Sequence, residues 1–264
     1  MKRRSLLSGA LAWALGAGTS WGAEPGPAKR EVQHRELVVF EAASLKDAFG
    51  RLARRFEAEN PGVTVVANPA GSQELRAQLE HGAAADVVAT ADRKTMDALA
   101  AQHLVAAPAI FTCNEPVVIV RAAVASAVRT FADLPRAERI VVGTPEVPIG
   151  GYTREILRRA GADFAARVEA RVVSRELNVR QVLAKVTLGE ADAGVVYRTD
   201  ARLGRDAVRV VEIPAPLNVV AEYPIAALAA APHAELAQKF VALVTSPAGG
   251  EALREAGFVA CPKR

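Results

Sequence analysis

Four segments of the sequence place small or hydroxyl-bearing residues where a predicted strand is followed by a predicted helix. They are Ala42-Ala43-Ser44-Leu45, Pro69-Ala70-Gly71-Ser72, Val147-Pro148-Ile149-Gly150-Gly151-Tyr152 and Leu177-Asn178-Val179-Arg180. The first turn of a helix carries backbone N–H groups without an intrahelical partner, together with the positive end of the helix dipole. Several such turns facing one cleft would bind an anion with neutral donors alone. The chemistry that these segments predict is therefore anion binding.

Individual residues in these segments suit the start of a helix. Ser44 is predicted to be an N-cap, with Asp47 three residues later close to a capping-box arrangement, and Asn178 is a natural N-cap. Gly150 and Gly151 would let the backbone come close to a ligand. Each feature alone also fits ordinary helix capping. Their combination favours a site, because ligands of open α/β sheets lie beyond the carboxyl ends of the strands.

The elements that must position these segments alternate between strands and helices. Strands are predicted over 37–40, 63–66, 86–90, 116–120, 139–143, 171–173, 193–197, 208–213 and 223–228, and helices over 45–56, 74–80, 93–101, 152–160, 179–188 and on either side of Ser246-Pro247. This alternation predicts an α/β fold of two lobes, each a doubly wound, mostly parallel sheet with flanking helices. Two crossover strands would form the hinge, near Cys113-Asn114 and near Glu222-Tyr223.

The predicted boundaries divide the chain into a signal peptide (1–23), a flexible leader (24–35), lobe I (36–113 plus 223–264) and lobe II (114–222). The signal peptide is indicated by Lys2, Arg3 and Arg4, an apolar run over 6–15 and small residues near Ala23. The order Arg3-Arg4-Ser5-Leu6-Leu7 also suits a twin-arginine signal, so that route and the general secretory route are both open. We therefore expect export and a periplasmic location.

Composition and motifs argue against several other classes of protein. The net charge of +4 includes the three basic residues of the signal, which would leave about +1, and no basic stripe with aromatics indicates a nucleic-acid partner. Gly-x-Ser-x-Gly and His-Glu-x-x-His are absent and no histidine lies near Ser44 or Ser72, so an enzyme is not expected. No cofactor or metal is expected, because Asp86, Asp192 and Asp200 fall on separate strand ends and would satisfy local amides.

Cys113 and Cys261 are the two cysteines of the chain. An oxidising compartment would permit them to form a disulfide. Two separate buried thiols fit the sequence equally well, because spacing along the chain does not show whether the Cα atoms come within bonding reach. The sequence leaves both arrangements open.

Several motifs occur in an order that resembles a known family. They are Ala42-Ala43-Ser44-Leu45, Gly82-Ala83-Ala84-Ala85-Asp86, Val147-Pro148-Ile149-Gly150-Gly151-Tyr152 and the stretch from Gly189 to Ala201, which is the most distinctive. The chain from Leu37 to Phe258 resembles the periplasmic molybdate-binding proteins of ABC importers. The resemblance implies the periplasmic-binding-protein fold and a transport function.

In that family, serine hydroxyls, backbone amides from both lobes and one tyrosine hydroxyl hold the oxyanion. The resemblance implies these roles for the side chains of Ser44 and Ser72, the amides of Ile149 and Val179, and the hydroxyl of Tyr197. It also implies molybdate or tungstate as the ligand and the permease of an inner-membrane ABC importer as the partner; we expect a monomer. A site made of donors alone would reject protonated anions, because their hydroxyl would find no acceptor.

The sequence departs from the family pattern at two places. Ala84 stands where the family usually has proline, and Gln73-Glu74 replace the usual small residues after the second serine. Glu74 would oppose a bound dianion if it faced the ligand, whereas an outward orientation would favour the helix dipole. Arg180 suits an anion clamp, a solvated first-turn residue or a salt bridge across the cleft. Sulfate, phosphate or another small anion as ligand, and a sensor subunit as function, remain alternatives.

Overall fold

The computed structural model of the protein describes residues 34–262. The predicted signal peptide (1–23) and most of the predicted leader (24–35) lie outside the described residues. The last residue of that leader, Arg35, already belongs to the first strand, so the fold begins slightly earlier than predicted. Across the described part of the chain, no helix is long and apolar enough to cross a membrane.

Strands and helices alternate along the described residues in three series. The first consists of β1 (Arg35–Ala42), α1 (Lys46–Glu59), β2 (Val63–Ala70), α2 (Ser72–Glu80), β3 (Val87–Ala89), α3 (Arg93–Ala101) and β4 (Val105–Asn114). The second consists of β5 (Pro116–Arg121), β6 (Ile140–Gly143), α4 (Pro148–Ala160), α5 (Ala162–Glu169), β7 (Val172–Glu176), α6 (Val179–Thr187), β8 (Ala193–Tyr197), α7 (Arg198–Ala201) and β9 (Val208–Val211). The last consists of β10 (Ala221–Leu228), α8 (Ala234–Thr245) and α9 (Pro247–Glu255).

The strands form two five-stranded sheets, in the orders β2-β1-β3-β10-β4 and β7-β6-β8-β5-β9. In the first sheet β1 is parallel to β2 and β3, and β10 lies antiparallel between β3 and β4. In the second sheet β6 is parallel to β7 and β8, and β5 lies antiparallel between β8 and β9. The predicted two-lobed α/β class is confirmed. Each sheet is mixed, because the strand that arrives from the other sheet, β10 or β5, runs in the opposite direction.

We call the part built on the first sheet lobe I and the part built on the second lobe II; the predicted residue limits of the lobes stay a prediction. Within the described residues the chain passes between the sheets at Glu115 and again over 212–220. The predicted second crossing, Glu222-Tyr223, lies inside β10. Ala221 at the start of β10 pairs with Asn114 at the end of β4, so the two passages lie side by side.

Strand β4 (Val105–Asn114) was not predicted from the sequence. Its residues include Pro108 and several alanines, which have low strand propensity. It is an edge strand, bonded on one side to β10, and an edge strand tolerates proline because one row of N–H groups needs no partner. The tertiary position therefore permits a strand that local propensity does not favour.

Aromatic side chains hold α1 in place in lobe I. Phe49 and Phe56, two turns apart on one face of α1, both pack edge-on against Phe240 of α8, with ring centroids 5.9 and 5.3 Å apart. All three side chains are fully buried. The turn that precedes α1 and contains Ser44 is thereby attached to a rigid core.

Cys113 and Cys261 form a disulfide, with their Cα atoms 5.1 Å apart. Cys113 also exchanges two backbone hydrogen bonds, of 3.0 and 2.9 Å, with Val259. The C-terminal segment is therefore attached to the end of β4, next to the first passage between the sheets. Of the two arrangements that the sequence left open, the structure has the disulfide.

Candidate functional site

The five residues predicted to hold a ligand line one cavity between the lobes. Its walls are Ala42, Ala43, Ser44, Ala70, Gly71, Ser72 and Ala91 from lobe I and Val147, Pro148, Ile149, Asn178, Val179 and Tyr197 from lobe II. The space open to the centre of a water-sized sphere in it is about 10 Å³, far below the roughly 300–1,000 Å³ of pockets for drug-sized ligands. Among the described residues that line it, none carries a formal charge. The cavity therefore suits a small ligand held by neutral groups.

Ser44 lies in a short 3-10 turn, Ala43–Leu45, before α1. The prediction that Ser44 is the N-cap, with Asp47 in a capping box, is wrong, because the N-cap is Leu45 and has no side-chain cap. The 3-10 turn moves the start of α1 past Ser44 and frees the hydroxyl from helix capping. The Ser44 Oγ instead lies 2.9 Å from the Tyr223 Oη, and both side chains are buried.

Ser72 is the first residue of α2, after the N-cap Gly71. Its Oγ accepts a 3.0 Å hydrogen bond from the Ala91 N–H, which joins α2 to the segment after β3. A hydroxyl that accepts from an amide still has its own proton to donate. Because Ser72 is 1% exposed and lines the cavity, that proton can be donated to a ligand there.

The Glu74 carboxylate turns back to the start of its own helix. Its Oε2 accepts a 2.8 Å hydrogen bond from the Gly71 N–H, and the Glu74 N–H donates to the Gly71 carbonyl at 2.9 Å. This reciprocal pair is a capping box in which glycine stands at the N-cap. Glu74 is not among the residues that line the cavity, so its charge is directed at the helix start and not at a ligand.

Helix α4 brings Ile149 to the cavity. Pro148 occupies the first turn, where it needs no N–H partner, and Ile149 follows it. A Cβ on Gly150 would lie 1.9 Å from the Thr144 carbonyl oxygen, whereas one on Gly151 would meet nothing closer than 3.8 Å. The prediction that this glycine pair exposes backbone to a ligand is therefore wrong: Gly150 lets α4 pack closely on the end of β6.

Helix α6 also brings its first residue, Val179, to the cavity. Asn178 is the N-cap, and its Oδ1 accepts a 3.1 Å hydrogen bond from the Gln181 N–H, which confirms the predicted cap. The Val179 N–H, one residue earlier, belongs to the group of first-turn amides that have no intrahelical partner. Two helix starts from lobe II, at Ile149 and Val179, therefore line the same cavity, and the roles of their N–H groups stay a prediction.

Tyr197 ends β8 and is 1% exposed. Within residues 34–262, its hydroxyl has no hydrogen-bond partner. Burial holds the pKa of Tyr197 well above its ordinary value, so the hydroxyl keeps its proton and can donate it. The ring packs edge-on against Tyr152 and Tyr223, at 6.4 and 5.8 Å. A buried hydroxyl without a partner costs free energy, and a ligand oxygen in the cavity would remove that cost.

Among the described residues, the polar contacts that join the lobes near the cavity include the following three. Arg180 Nη2 lies 2.6 Å from Asp47 Oδ2, and the other two are the bonds from Gln73 Nε2 to the Leu177 carbonyl (2.8 Å) and from Tyr152 Oη to the Ala91 carbonyl (3.2 Å). Arg180 does not line the cavity. Of its three interpretations, the structure therefore has the salt bridge across the cleft. These contacts hold the lobes closed over the site.

Asp86, Asp192 and Asp200 each satisfy local partners. Asp86 accepts from two backbone N–H groups at 2.8 and 2.7 Å, Asp192 pairs with Arg139 at 3.0 Å, and Asp200 pairs with Arg180 at 2.5 Å. Burial raises the pKa of Asp200 to about 6, although the neighbouring Arg180 lowers it. The three carboxylates thus stabilise separate parts of the fold.

Two buried residues near the site were missed by sequence reasoning. Tyr223 bonds Ser44, but its position in β10 carries no local signal for that contact. Glu41 is 1% exposed, and its carboxylate oxygens have no hydrogen-bond partner among the described residues. Burial raises the pKa of Glu41 to about 8 against the opposing effects of Lys46 and Arg180. A single acid at the end of the apolar run 37–40 was the signal that could have identified it.

Comparisons with known proteins agree with this geometry. The profile of the family described as bacterial extracellular solute-binding protein matches residues 37–259. The molybdate-binding protein ModA of Mycobacterium tuberculosis is 43% identical over 226 residues, which cover 85% of this chain and 84% of that protein. The molybdate-binding protein ModA of Escherichia coli is 32% identical over 232 residues, which cover 84% and 88%.

A solved structure shows the same fold. The periplasmic molybdate-binding protein of Azotobacter vinelandii superposes with a TM-score of 0.76 at 20% identity, over 86% of this chain and 100% of that chain. The resemblance inferred from the ordered motifs is thus confirmed by family, sequence and fold. The chain belongs to the bacterial extracellular solute-binding protein family, together with these relatives.

Proposed function

We propose that this protein binds molybdate or tungstate as an oxyanion and delivers it to the permease of an ABC importer. The Tyr197 hydroxyl carries the proposal, because it is buried and unpartnered at the wall of a small cavity lined by uncharged groups. A tetrahedral oxyanion in the cavity supplies the acceptor that this donor needs. The names of the relatives, both molybdate-binding proteins, point to the same ligand.

Five donors converge on the proposed ligand from both lobes. They are the hydroxyls of Ser44, Ser72 and Tyr197 and the backbone N–H groups of Ile149 and Val179. Hydrogen bonds to a charged group contribute roughly 1.5–3 kcal/mol each, so five support a dissociation constant in the micromolar-to-nanomolar range, about −8 to −12 kcal/mol. Neutral donors can therefore hold a dianion without a lysine or arginine in the cavity.

Capture and release would follow from movement of the lobes about the two passages between the sheets. We propose lobe limits close to those predicted, 36–113 plus 223–264 for lobe I and 114–222 for lobe II, with the ends of β1, β4 and β10 added to lobe I. The ligand contacts residues of both lobes, so it binds the closed form better and shifts the population towards it. We further propose export through the signal peptide at 1–23, action as a monomer in the periplasm, and no catalytic role.

Titration calorimetry with molybdate, tungstate, sulfate and phosphate tests the ligand. We expect the first two to bind at least about 100-fold more tightly than the others. Ser72→Ala should weaken molybdate binding, whereas Ser246→Ala should not, because Ser246 caps α9 and does not line the cavity. Tighter binding of sulfate or phosphate would show that the ligand is wrong, and binding of none of the four would overturn the anion site itself.

Co-purification with the cognate permease tests the delivery step. The molybdate-loaded protein should stimulate ATP hydrolysis by the reconstituted importer more than the ligand-free protein does. Capture by a receptor that carries no transport activity would favour the sensor alternative. Binding of molybdate without any such stimulation would leave the ligand assignment intact and remove the transport function.

A further inference from the structure

The backbone segments that lead into α2 and α6 meet across the cleft at Gly71. Gly71 lies between β2 and α2 in lobe I and lines the cavity. Leu177 lies between β7 and α6 in lobe II, and a Cβ built on Gly71 would be 2.4 Å from its carbonyl oxygen. Real Cβ atoms essentially never approach a heavy atom so closely. The closed arrangement of the lobes therefore has no room for a side chain at position 71.

Lobe I by itself does not require glycine at this position. The Gly71 backbone has φ −64° and ψ 140°, an extended conformation that any L-amino acid adopts. The Cβ would also come within 2.5 and 2.6 Å of the Gln73 side-chain amide, but a flexible side chain can turn away. Gly150 is different, because a Cβ there would meet a backbone oxygen of its own lobe. The requirement for glycine at position 71 therefore comes from the other lobe and exists only while the cleft is closed.

Hydrogen bonds hold the backbone in place on both sides of this contact. The Gly71 N–H donates to Glu74 Oε2 at 2.8 Å, and the Gly71 carbonyl accepts from the Glu74 and Leu75 N–H groups at 2.9 and 3.0 Å. In lobe II the Leu177 N–H donates to Gln181 Oε1 at 3.0 Å, and the chain then enters α6. Neither backbone can shift alone without breaking these bonds. A side chain at position 71 would therefore hold the lobes apart.

We propose that Gly71 is a positioning residue, whose missing side chain lets the lobes close far enough for residues of both lobes to bind one ligand. This inference rests on the proposed function. Ser72 follows Gly71 directly and Val179 is two residues after Leu177, so the contact lies beside one proposed donor from each lobe. A Cβ would widen the contact from 2.4 Å to about 3.4 Å, an opening of about 1 Å. A ligand hydrogen bond lengthened from about 2.9 Å to about 3.9 Å is lost.

The variant Gly71→Ala tests this role. Alanine caps a helix less well than glycine but loses less freedom on folding, so the midpoint of thermal unfolding without ligand should stay within about 4 °C of wild type. Molybdate affinity in titration calorimetry should fall by about tenfold or more. In stopped-flow measurements the release rate should account for this loss. The association rate should stay within about twofold, because the ligand first meets the open form, in which residue 71 touches nothing of lobe II.

Two control experiments separate closure from local effects. Gly151→Ala adds the same methyl group in α4, where its nearest neighbour is 3.8 Å away in the same lobe, so molybdate affinity should stay within about twofold. Gln73→Ala removes the side chain that the new methyl group would displace, together with its 2.8 Å bond to the Leu177 carbonyl. In a Gln73→Ala background, Gly71→Ala should still lower molybdate affinity by about the same factor, because the Leu177 backbone remains the obstacle.

The outcomes separate this inference from the proposed function. Molybdate affinity of Gly71→Ala within about twofold of wild type overturns the inference and leaves the function standing. An affinity loss that disappears in the Gln73→Ala background, or that lies in the association rate, also overturns it. A large fall in the unfolding midpoint without ligand overturns it as well, because lobe I alone would then need the glycine. If the wild type does not bind molybdate, the proposed function fails, and the inference fails with it.

Discussion

Replacing Tyr197 by phenylalanine should weaken ligand binding without weakening the fold. The hydroxyl is buried and has no hydrogen-bond partner in the described part of the chain, so its removal breaks no bond inside the protein. The ring keeps its contacts with Tyr152 and Tyr223. In the ligand-free closed form, an unpartnered buried hydroxyl costs about 1–3 kcal/mol. Stability without ligand should therefore stay the same or increase.

The effect of Tyr197→Phe on binding should have the opposite sign. A hydrogen bond to a charged group contributes about 1.5–3 kcal/mol, which corresponds to a loss of about 10- to 150-fold in molybdate affinity. Titration calorimetry measures this loss directly. Thermal unfolding with and without molybdate measures the effect on stability and the effect on binding in one experiment. The unfolding midpoint without ligand should not fall, and the increase in the midpoint caused by molybdate should become smaller.

Two results would refute this reasoning. Wild-type affinity in Tyr197→Phe would mean that the hydroxyl does not touch the ligand. A clear fall in the midpoint of thermal unfolding without ligand would mean that the Tyr197 hydroxyl already has a hydrogen-bond partner within the protein and is not free to bind a ligand. Tyr152→Phe serves as the contrast, because its hydroxyl already donates to a backbone carbonyl, and its removal should lower stability.

Three further predictions concern the surroundings of the site. Asp47→Asn removes the ion pair with Arg180 across the cleft, so molybdate should be released faster. Because the Asp47 side chain is about half exposed, the release rate measured by stopped flow should increase by no more than about fivefold, and by less in high salt. Burial raises the folded-state pKa of Glu41 from 4.5 to about 8, so wild-type stability should fall as pH rises through that window. Glu41→Gln removes this loss. In urea unfolding, the difference in unfolding free energy between the variant and the wild type should be more favourable to the variant at pH 8.5 than at pH 5, by at most about 5 kcal/mol. Reduction of the Cys113–Cys261 disulfide should lower the unfolding free energy by about 2–4 kcal/mol in the same assay; an unchanged urea midpoint would contradict this.

Local sequence patterns correctly predicted features that depend on one helix alone. The periodicity over 93–101 predicted α3 with the bounds that the structure has, and Asn178 caps α6 as its side chain indicates. Hydrogen bonds between neighbours in the sequence determine such features. The prediction that Ser44 is the N-cap of α1 failed because the same few residues can form either a 3-10 turn or the start of an α-helix. Packing of the turn decides between the two.

By itself, the sequence determined the alternating strands and helices, the four helix starts, and the ordered motifs that indicate the family. Tertiary structure alone decided how these parts meet. Ser44 and Tyr223 are 179 residues apart and Arg180 and Asp47 are 133 apart, yet each pair is in hydrogen-bonding contact. No local propensity encodes such a contact, because it depends on how distant strands pair in a sheet and on how the lobes meet. The helix starts thus predicted an anion site from sequence, and the fold brought them to one cavity.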